Sequence, residues 1–545
     1  MKTTGFLLPL LLALVTFLVY GPSLKSDFVY DAQLEILEEG FITSPSNLPD
    51  VLSLKVLGMP LLLGSRPGQL LYLMLIASIC GKTPFGYHLC SNLLHAANVA
   101  LLFILLRRLI AAEFTGLTAD GAGKANWAAV VVTLIFALHP IAVEPVAEIS
   151  YSSSLLVTLF TLLALLAATA FRPDQLRSTL SMGSAGTLCA LAAVMSKESG
   201  IAAALSLVVY WYVFRRAEPR QPWFLFLGSS ILVTALFLVA RFYLAPPSPT
   251  HFDYLGGSIY QVFLIQPHLW VYMMGKLIWP LSLSADYTPE NSDGVPLVVG
   301  YAVLAAVVLA QDWLANRSRI GALGVALYWL GLLTVSNFIP LYRALADRFY
   351  YLPLAGVAMQ LLALLLILQK SSQAYRALLI LLLVALIPLT FLTFQRQQVF
   401  ANTIALWTDT VRVSPTSSTA LAGYGLILYQ RGQVDEAILE YEKALKITPN
   451  TVKPLNNYGV ALLHQGRIEE ASAVFRHAIS LDPRMAAAQA NLGAALARQG
   501  QVEEAILHLQ EALRLDPDNL EARQNLATEE ARLHQPATEK QSPTP

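Results

Sequence analysis

The first 400 residues consist of apolar runs separated by short polar segments. A helix needs about 20 apolar residues to cross the hydrocarbon core of a bilayer. The chain is 55% hydrophobic and only 13% charged, which excludes a single soluble domain and a disordered chain. The pattern predicts an all-α, polytopic membrane bundle of about eleven spans, at residues 5–21, 86–106, 126–140, 152–171, 179–195, 200–214, 223–244, 296–311, 320–336, 350–369 and 375–394.

Two further apolar segments, 67–80 and 262–283, are interpreted as interfacial or re-entrant helices. If neither spans the membrane, every cluster of Lys and Arg falls on the same side, and the positive-inside rule makes that side the cytoplasm. The N-terminus is then cytoplasmic and the C-terminus extracytoplasmic. Residues 1–20 lack an A-x-A-like cleavage site, so we expect them to form the first span rather than a signal peptide.

The C-terminal part repeats every 34 residues. A 34-residue period of small, aromatic and helix-ending residues is typical of the tetratricopeptide repeat (TPR), an α-solenoid of helix pairs whose concave surface binds peptides. A passive spacer is the alternative. The equivalent positions are Gly425, Gly459 and Gly493; Gly432, Gly466 and Gly500; Ala437, Ala471 and Ala505; Tyr441, Phe475 and Leu509; Ala444, Ala478 and Ala512; and Pro449, Pro483 and Pro517.

These two patterns predict the domain organisation. Residues 1–400 form the membrane domain, with a first outer loop at 22–85. Residues 401–535 form the TPR domain, which contains a partial repeat, three full repeats and a capping helix. The tail at 536–545 is polar and rich in proline, so we expect it to be disordered.

The outer loops carry most of the polar residues of the membrane domain, in contrast to the cytoplasmic Lys and Arg clusters. Acids and bases gathered on one face favour a functional site there, although basic residues near helix ends also snorkel to the interface. The net charge of zero indicates no nucleic-acid partner. The polar residues are Asp27, Asp31, Glu35, Arg66, His88, His139, Glu144, Glu148, Lys197, Glu198, Asp286, Tyr287, Arg343, Asp347 and Arg348.

Several short motifs occur in order along the membrane domain. They are Ser26-Asp27-Phe28-Val29-Tyr30-Asp31-Ala32, Arg66-Pro67, Gly86-Tyr87-His88-Leu89, Leu138-His139-Pro140 with Glu144, Met195-Ser196-Lys197-Glu198, Trp279-Pro280 with Asp286-Tyr287, and Asp347-Arg348-Phe349-Tyr350-Tyr351-Leu352-Pro353. This set, followed by TPR repeats, resembles the transmembrane and TPR repeat-containing proteins. Those are similar to protein O-mannosyltransferases and belong to the GT-C superfamily of polyprenyl-phosphate-dependent glycosyltransferases.

The resemblance implies an inverting glycosyltransferase. A polyprenyl-phosphate-linked sugar would lie with its chain in the membrane and its sugar at the extracytoplasmic face. A hydroxyl of Ser or Thr, in a protein held by the TPR groove, would attack the anomeric carbon. We expect a bacterial inner-membrane protein with a periplasmic TPR domain. The alternatives are a non-catalytic TPR scaffold of an envelope complex and a polysaccharide polymerase or ligase.

The resemblance also implies site residues. Asp31 would be the catalytic base, with Glu35 as the fallback, and a helix cap is the structural alternative for Asp31. Members of the family carry a second acid where this chain has Ala32, which puts any role that needs both carboxylates in doubt.

Arg66, Lys197 and Arg348 are the candidates for binding the donor phosphate, and Glu144 for positioning donor or acceptor. Structural alternatives exist for each of these residues. They are snorkelling for Arg66, pairing with Asp347 or Glu198 for Arg348, pairing with Glu198 for Lys197, and a solvated loop charge for Glu144.

We predict no cofactor. His88 and His95 lie seven residues apart on one helix face, a spacing that could ligate a divalent metal but equally suits polar contacts between spans.

Overall fold

The computed structural model describes residues 4–38, 40–59, 61, 63–114, 118–244, 257–288, 296–338, 343 and 345–534. The predicted tail at 536–545 lies outside these residues. Throughout the described residues the secondary structure is helical, with no strand, which confirms the all-α class. The chain divides into two compact units, Met1–Leu406 and Trp407–Pro545.

The first unit contains fifteen α-helices within the described residues. They are α1 (Thr4–Val19), α2 (Leu48–Leu52), α3 (Pro67–Cys80), α4 (Pro84–Glu113), α5 (Ala119–Leu138), α6 (Val143–Ala147), α7 (Ser152–Ala170), α8 (Leu176–Ser196), α9 (Ile201–Tyr210), α10 (Arg220–Leu244), α11 (Ile259–Ile278), α12 (Leu297–Ala315), α13 (Arg319–Leu333), α14 (Tyr351–Leu368) and α15 (Ser372–Val399).

Each of the eleven predicted spans overlaps one of these helices. Within the described parts of the chain, eight helical segments are long and apolar enough to cross a membrane. The other three predicted spans lie on the shorter helices α1, α9 and α13, and the two ambiguous segments form α3 and α11. The eight long segments are Pro84–Glu113, Asp120–Leu138, Ile149–Ala170, Leu176–Ser196, Arg220–Leu244, Leu297–Ala315, Asp347–Leu368 and Ser372–Val399.

The helices differ in how far they are buried by the rest of the protein. In the segment Asp347–Leu368, 67% of the 18-residue apolar stretch is buried by the rest of the protein, whereas in Leu297–Ala315 the share is 11%. Helices α4, α5, α7 and α14 therefore form the centre of the bundle, while α12 and α15 expose apolar side chains at its surface. Glycines bring α13 and α14 close together, since a Cβ on Gly356 would lie 2.6 Å from the carbonyl oxygen of Gly324.

Polar side chains connect the central helices. The Nδ1 atom of His95 lies 2.7 Å from the hydroxyl of Tyr351, and its Nε2 atom lies 3.1 Å from the carbonyl oxygen of Ala137. Both ring nitrogens of His95 are thus engaged between helices, as expected for polar contacts between spans. Among the described residues, no group of three or more His, Cys, Asp or Glu side chains is placed to hold a metal ion.

The second unit is an array of paired helices, which confirms the TPR solenoid. The array follows α16 (Thr403–Val413) and comprises α17 (Ser418–Gln430), α18 (Val434–Ile447), α19 (Val452–His464), α20 (Ile468–Leu481), α21 (Ala486–Arg498), α22 (Val502–Leu515) and α23 (Leu520–His534).

Glycines determine the close packing within each helix pair of the array. A Cβ on Gly459 would lie 2.5 Å from the ring of Phe475, so only glycine lets the two helices meet there. The turn between the helices of a pair needs glycine for a different reason. Gly432, Gly466 and Gly500 have φ angles of +78°, +81° and +79°, which side chains disfavour.

Candidate functional site

Four segments of the first unit converge on one site, and each lies between helical elements of the chain. The segment 26–32 follows α1, and the segment 139–151 connects α5 with α7 through α6 and two short 3₁₀ turns. The turn Glu198–Gly200 joins α8 to α9, and the turn Asp347–Tyr350 precedes α14. These turns place polar side chains at the ends of membrane helices, where the backbone groups can also act as donors.

A buried ion pair lies at the centre of the site. Arg348 donates two hydrogen bonds to the carboxylate of Glu144, each 2.6 Å long. Its Nη1 atom donates to Oε1, and its backbone amide donates to Oε2. The side chain of Glu144 is 1% exposed and that of Arg348 is 10% exposed. Glu144 is therefore not a solvated loop charge, and Arg348 pairs with Glu144 rather than with Asp347 or Glu198. Asp347 instead pairs with Arg396 at 3.2 Å.

Tyr151 connects this ion pair to Asp31. Its hydroxyl donates a 2.9 Å hydrogen bond to Oδ2 of Asp31, and its ring lies 3.7 Å beneath the guanidinium carbon of Arg348. Burial raises the pKa of Asp31, and the hydrogen bond from Tyr151 and the charge of Arg348 oppose this only in part. Tyr30, directly before Asp31, has a φ angle of +56°, a conformation that is rare for a residue with a side chain.

Lys197 lies on the other side of Arg348. Its ammonium donates a 3.0 Å hydrogen bond to the hydroxyl of Ser154 and lies 5.4 Å from the ring centre of Phe349. Lys197, Arg348, Ser154 and Phe349 line a small pocket together. Burial lowers the pKa of Lys197 to about 7, assisted by the positive charges of Arg66 and Arg348. Lys197 is thus not neutralised by pairing with the adjacent Glu198.

Glu198 forms ion pairs with two arginines. Its carboxylate lies 3.6 Å from Nη2 of Arg66, and its second oxygen pairs with Arg241. Burial favours a raised pKa, but the two guanidinium groups outweigh it and lower the pKa of Glu198 to about 2. Arg66 occupies the N-cap of α3, which begins at Pro67 as the sequence predicts. Arg66 therefore makes a specific ion pair, which simple snorkelling does not require.

Two further acids lie beside Asp31. Glu35 is buried in the short π-helix Gln33–Glu38. Glu148, also buried, accepts hydrogen bonds from the backbone amides of Ala32 at 3.2 Å and Ser150 at 3.3 Å. Burial raises the pKa of Glu148, and the charges of Asp31 and Glu35 add to this. Glu148 thus brings a carboxyl group to Ala32, the position at which the sequence lacks a second acid.

The structure brings the predicted site residues into two connected groups. Asp31, Glu144 and Arg348 are joined through Tyr151, and Lys197 shares a pocket with Arg348. Arg66 lies in the neighbouring Glu198 cluster, and its charge acts on Lys197. Sequence reasoning did not select Tyr151, Arg241 or Glu148 as site residues. Tyrosines and arginines at span ends are common interfacial residues, so no local signal separates Tyr151 and Arg241 from that background.

Comparison with known proteins gives two kinds of match. Family models described as "TPR repeat" and "Tetratricopeptide repeat" match residues 425–466 and 457–519. The curated relatives include the Drosophila melanogaster proteins "Protein O-mannosyl-transferase Tmtc1", 32% identical over 35% of this chain, and "Protein O-mannosyl-transferase Tmtc3", 26% identical over 66% of it. A Caenorhabditis elegans relative, "Protein O-mannosyl-transferase F38B6.6", is 23% identical over 80% of the chain. The names Tmtc1 and Tmtc3 are those of the transmembrane and TPR repeat-containing (TMTC) proteins.

These matches confirm the resemblance to the TMTC proteins that the motifs predicted. The match spans 21%, 46% and 62% of the length of the three relatives. Among solved structures, the "First TPR of Spaghetti (RPAP3) bound to HSP90 peptide SRMEEVD" is 25% identical over 22% of this chain and 94% of that chain, with a TM-score of 0.22. The apolar helices and the TMTC relatives together indicate a multi-pass membrane protein.

Proposed function

We propose that this chain is a GT-C-type glycosyltransferase that moves a sugar from a polyprenyl-phosphate donor to a Ser or Thr hydroxyl of a protein, with inversion. Its relatives are named O-mannosyl-transferases, so mannose is the sugar we propose. The observation that carries the proposal is the connected set of Asp31, Tyr151, Arg348 and Glu144, next to the ammonium of Lys197. It combines a carboxylate with buried cations, the two groups that the reaction needs.

Asp31 is the proposed general base. As the acceptor oxygen bonds to the anomeric carbon, its proton passes to the Asp31 carboxylate, and the bond from that carbon to the phosphate oxygen breaks. The polyprenyl phosphate leaves with the bonding electrons. Tyr151 holds Oδ2 of Asp31, so Oδ1 is the oxygen we propose to take the proton. A raised pKa suits this role, because it makes the carboxylate a stronger base.

Lys197, Arg66 and Arg348 are the proposed phosphate-binding residues. Among the described residues, the ammonium of Lys197 donates a hydrogen bond only to the neutral hydroxyl of Ser154, so it can add a bond to an anion. Arg348 is already paired with Glu144 and supplies charge and orientation. We propose Glu144 as a positioning residue that acts through Arg348, and Glu35 as the fallback base.

The proposed topology places the reaction outside the cytoplasm. The Lys and Arg clusters mark the opposite side of the membrane, and the N-terminus is proposed to be cytoplasmic. The TPR unit would then be extracytoplasmic, in the periplasm if the protein belongs to a bacterial inner membrane. We propose that this unit receives the acceptor protein.

Purified full-length chain in lipid nanodiscs tests the proposed function directly. We expect transfer of radiolabelled mannose from polyprenyl-phosphate mannose to unstructured peptides rich in Ser and Thr, with a product of the opposite anomeric configuration by NMR. Parallel reactions with EDTA test the proposal that no divalent metal takes part, and the rate should be unchanged. A complete absence of transfer would favour the TPR scaffold instead.

Donor binding is expected to depend on pH through Lys197. Since its pKa is about 7, the ammonium that binds phosphate is present below pH 7 and is lost above it. The donor is a phosphodiester whose single charge is constant in this range. We therefore expect about a tenfold weaker affinity at pH 8 than at pH 6, following the protonated fraction. The charged groups that act on Lys197 are Arg66, Arg348, Glu198 and Glu144.

Lys197→Arg provides the matched control for this pH dependence. The guanidinium stays charged throughout, so the affinity of the variant should be flat between pH 6 and pH 8. The measurement is equilibrium binding of a non-transferable polyprenyl-phosphate sugar analogue. An identical pH dependence in the wild type and the variant would show that another group titrates.

A further inference from the structure

Three arginines of the first unit converge on the last turn of α7. Arg108 comes from α4, Arg172 from the segment that follows α7, and Arg215 from the π-helix Trp211–Arg215 that continues α9. All three donate hydrogen bonds to Thr169, in the last turn of α7. These three residues are called the arginine cluster below.

The arginine cluster lies at the opposite end of α7 from the candidate site. Ser154, which accepts the hydrogen bond from Lys197, is in the first turn of α7, and Thr169 is in the last. At a rise of about 1.5 Å per residue the two residues are about 23 Å apart, most of the thickness of a bilayer core. The arginine cluster is thus placed at the level of the headgroups on the other side of the membrane.

The guanidinium groups of the cluster share a small set of acceptors. Nη1 of Arg108 donates to Oγ1 of Thr169 at 2.9 Å and to the carbonyl oxygen of Leu166 at 3.1 Å. Nη1 of Arg172 and Nη2 of Arg215 both donate to the carbonyl oxygen of Thr169, at 3.4 Å and 3.2 Å. Because they share one oxygen, these two nitrogens are at most about 7 Å apart, a distance at which like charges repel.

The positive charge of the cluster exceeds the negative charge around it. Glu218 forms an ion pair with Arg215, and its second oxygen accepts a 3.0 Å hydrogen bond from the indole of Trp223. Among the described residues, Arg108 and Arg172 form no ion pair. The positive-inside rule accounts for the number of arginines at this end of the bundle, but it does not require them to converge on one helix end.

The two exposed arginines of the cluster keep donors for a further ligand. A guanidinium group carries five N–H donors. Within the part of the chain that the structure describes, the side chains of Arg108 and Arg172 donate only through Nη1. Nε and Nη2 of each side chain therefore remain for an acceptor. Such a fork of two N–H groups matches two oxygens of a phosphate.

Exposed apolar side chains adjoin the cluster. Helix α8 begins at Leu176, four residues after Arg172, and the backbone amide of Arg172 donates a 2.9 Å hydrogen bond to the hydroxyl of Ser178 in the first turn of α8. Leu176 and Leu180 are 74% and 61% exposed, and their spacing places them on the same side of α8. A ligand with a phosphate and apolar chains can contact both the arginines and these leucines, whereas a soluble anion can contact only the arginines.

We propose that the arginine cluster binds the headgroup phosphate of an anionic phospholipid, whose acyl chains lie along the exposed apolar side of α8. The phosphodiester offers oxygens to both exposed guanidinium groups and its negative charge reduces their repulsion. A headgroup that also carries an ammonium group is disfavoured, because it brings a positive charge back to the cluster. The inference does not depend on the proposed glycosyltransferase activity, since the two sites lie at opposite ends of α7.

Equilibrium binding tests the inference with the purified full-length chain in micelles of a neutral detergent. The probe is radiolabelled phosphatidylglycerol, measured by scintillation proximity, and the competitors are unlabelled phosphatidylglycerol, phosphatidylcholine and inorganic phosphate. We expect phosphatidylglycerol to bind about tenfold more tightly than phosphatidylcholine, and excess inorganic phosphate not to displace it. Equal affinity for the two lipids, or displacement by inorganic phosphate, would overturn the inference.

Two double substitutions that remove the same charge form a matched pair. Arg108→Gln/Arg172→Gln keeps an amide donor at each position but removes both charges, and the Kd for phosphatidylglycerol should rise about tenfold. Arg220→Gln/Arg376→Gln changes two exposed arginines outside the cluster, and the Kd should stay within about twofold of the wild type. An equal effect of the two double substitutions would show that only the total charge matters, which contradicts a specific site.

Salt dependence tests the wild-type chain without any substitution. Raising the salt concentration from about 0.05 M to about 0.5 M shortens the Debye length, so the affinity for phosphatidylglycerol should fall while that for phosphatidylcholine changes little. This measurement remains decisive if the double substitution at the cluster prevents folding. Affinities for both lipids that respond equally to salt would contradict binding through the headgroup charge.

Discussion

Asp31→Asn is expected to lower the turnover number of sugar transfer by about 10²- to 10⁴-fold, the range that general-base catalysis contributes. Asparagine still accepts the hydrogen bond from Tyr151 through its amide oxygen, so the site keeps its shape. It cannot accept the acceptor proton. The KM for the donor should change little, because the groups proposed to bind the donor phosphate are the cations rather than this carboxyl group.

Asp27→Asn is the matched control for this substitution. Asp27 is an exposed carboxylate four residues earlier in the same segment, and its side chain makes no hydrogen bond in the described structure. We expect the control to retain the wild-type turnover number. Undiminished transfer by Asp31→Asn would show that Asp31 is not the base, and Glu35→Gln would then be the variant to measure.

Arg348→Met is expected to have the largest effect on folding. The side chain of Glu144 is 1% exposed. In the variant it loses the guanidinium of Arg348 and keeps, of its two hydrogen bonds to residue 348, the one from the backbone amide. Removing one member of a buried ion pair costs about 3–5 kcal/mol, because the other charge remains buried without compensation. The free energy of unfolding, measured by SDS titration in mixed micelles, should fall by that amount, and sugar transfer should be lost.

The double variant Glu144→Gln/Arg348→Met separates stability from activity. With both charges removed, no buried charge lacks a partner, so we expect most of the lost stability to return. Transfer should stay low, because the guanidinium that orients the donor is still missing. Wild-type stability in Arg348→Met would contradict the burial of the pair, and restored transfer in the double variant would contradict a role for Arg348 in the site.

Apolar periodicity was enough to predict the membrane helices, since every predicted span overlaps one. The predicted spans at 5–21 and 320–336 run two or three residues past the ends of α1 and α13, and the span at 200–214 corresponds to α9 together with the π-helix Trp211–Arg215 that continues it. The 34-residue period predicted the TPR array well, because each Gly, Ala and aromatic position has a defined partner in the neighbouring helix.

The structure places several of the predicted site residues next to one another, but the sequence did not predict how they pair. The outer loops offered a larger set of polar residues, and the resemblance to the transmembrane and TPR repeat-containing proteins narrowed it to candidates that include Asp31, Glu144, Lys197 and Arg348. That Arg348 pairs with Glu144 depends on how α6 meets the turn before α14, and neighbours in sequence suggested Asp347 instead. Glu148 beside Ala32 was invisible for the same reason, since the contact joins segments 116 residues apart.

The ion pair at the centre of the site has a consequence for biogenesis. Glu144 and Arg348 are separated by 204 residues, so the carboxyl group is made long before its partner. At about 5–20 residues per second, synthesis of the intervening chain takes roughly 10–40 s. During that interval Glu144 must stay in contact with water or carry a proton. We therefore expect assembly of the centre of the bundle to wait until the turn before α14, which carries Arg348, has been synthesised.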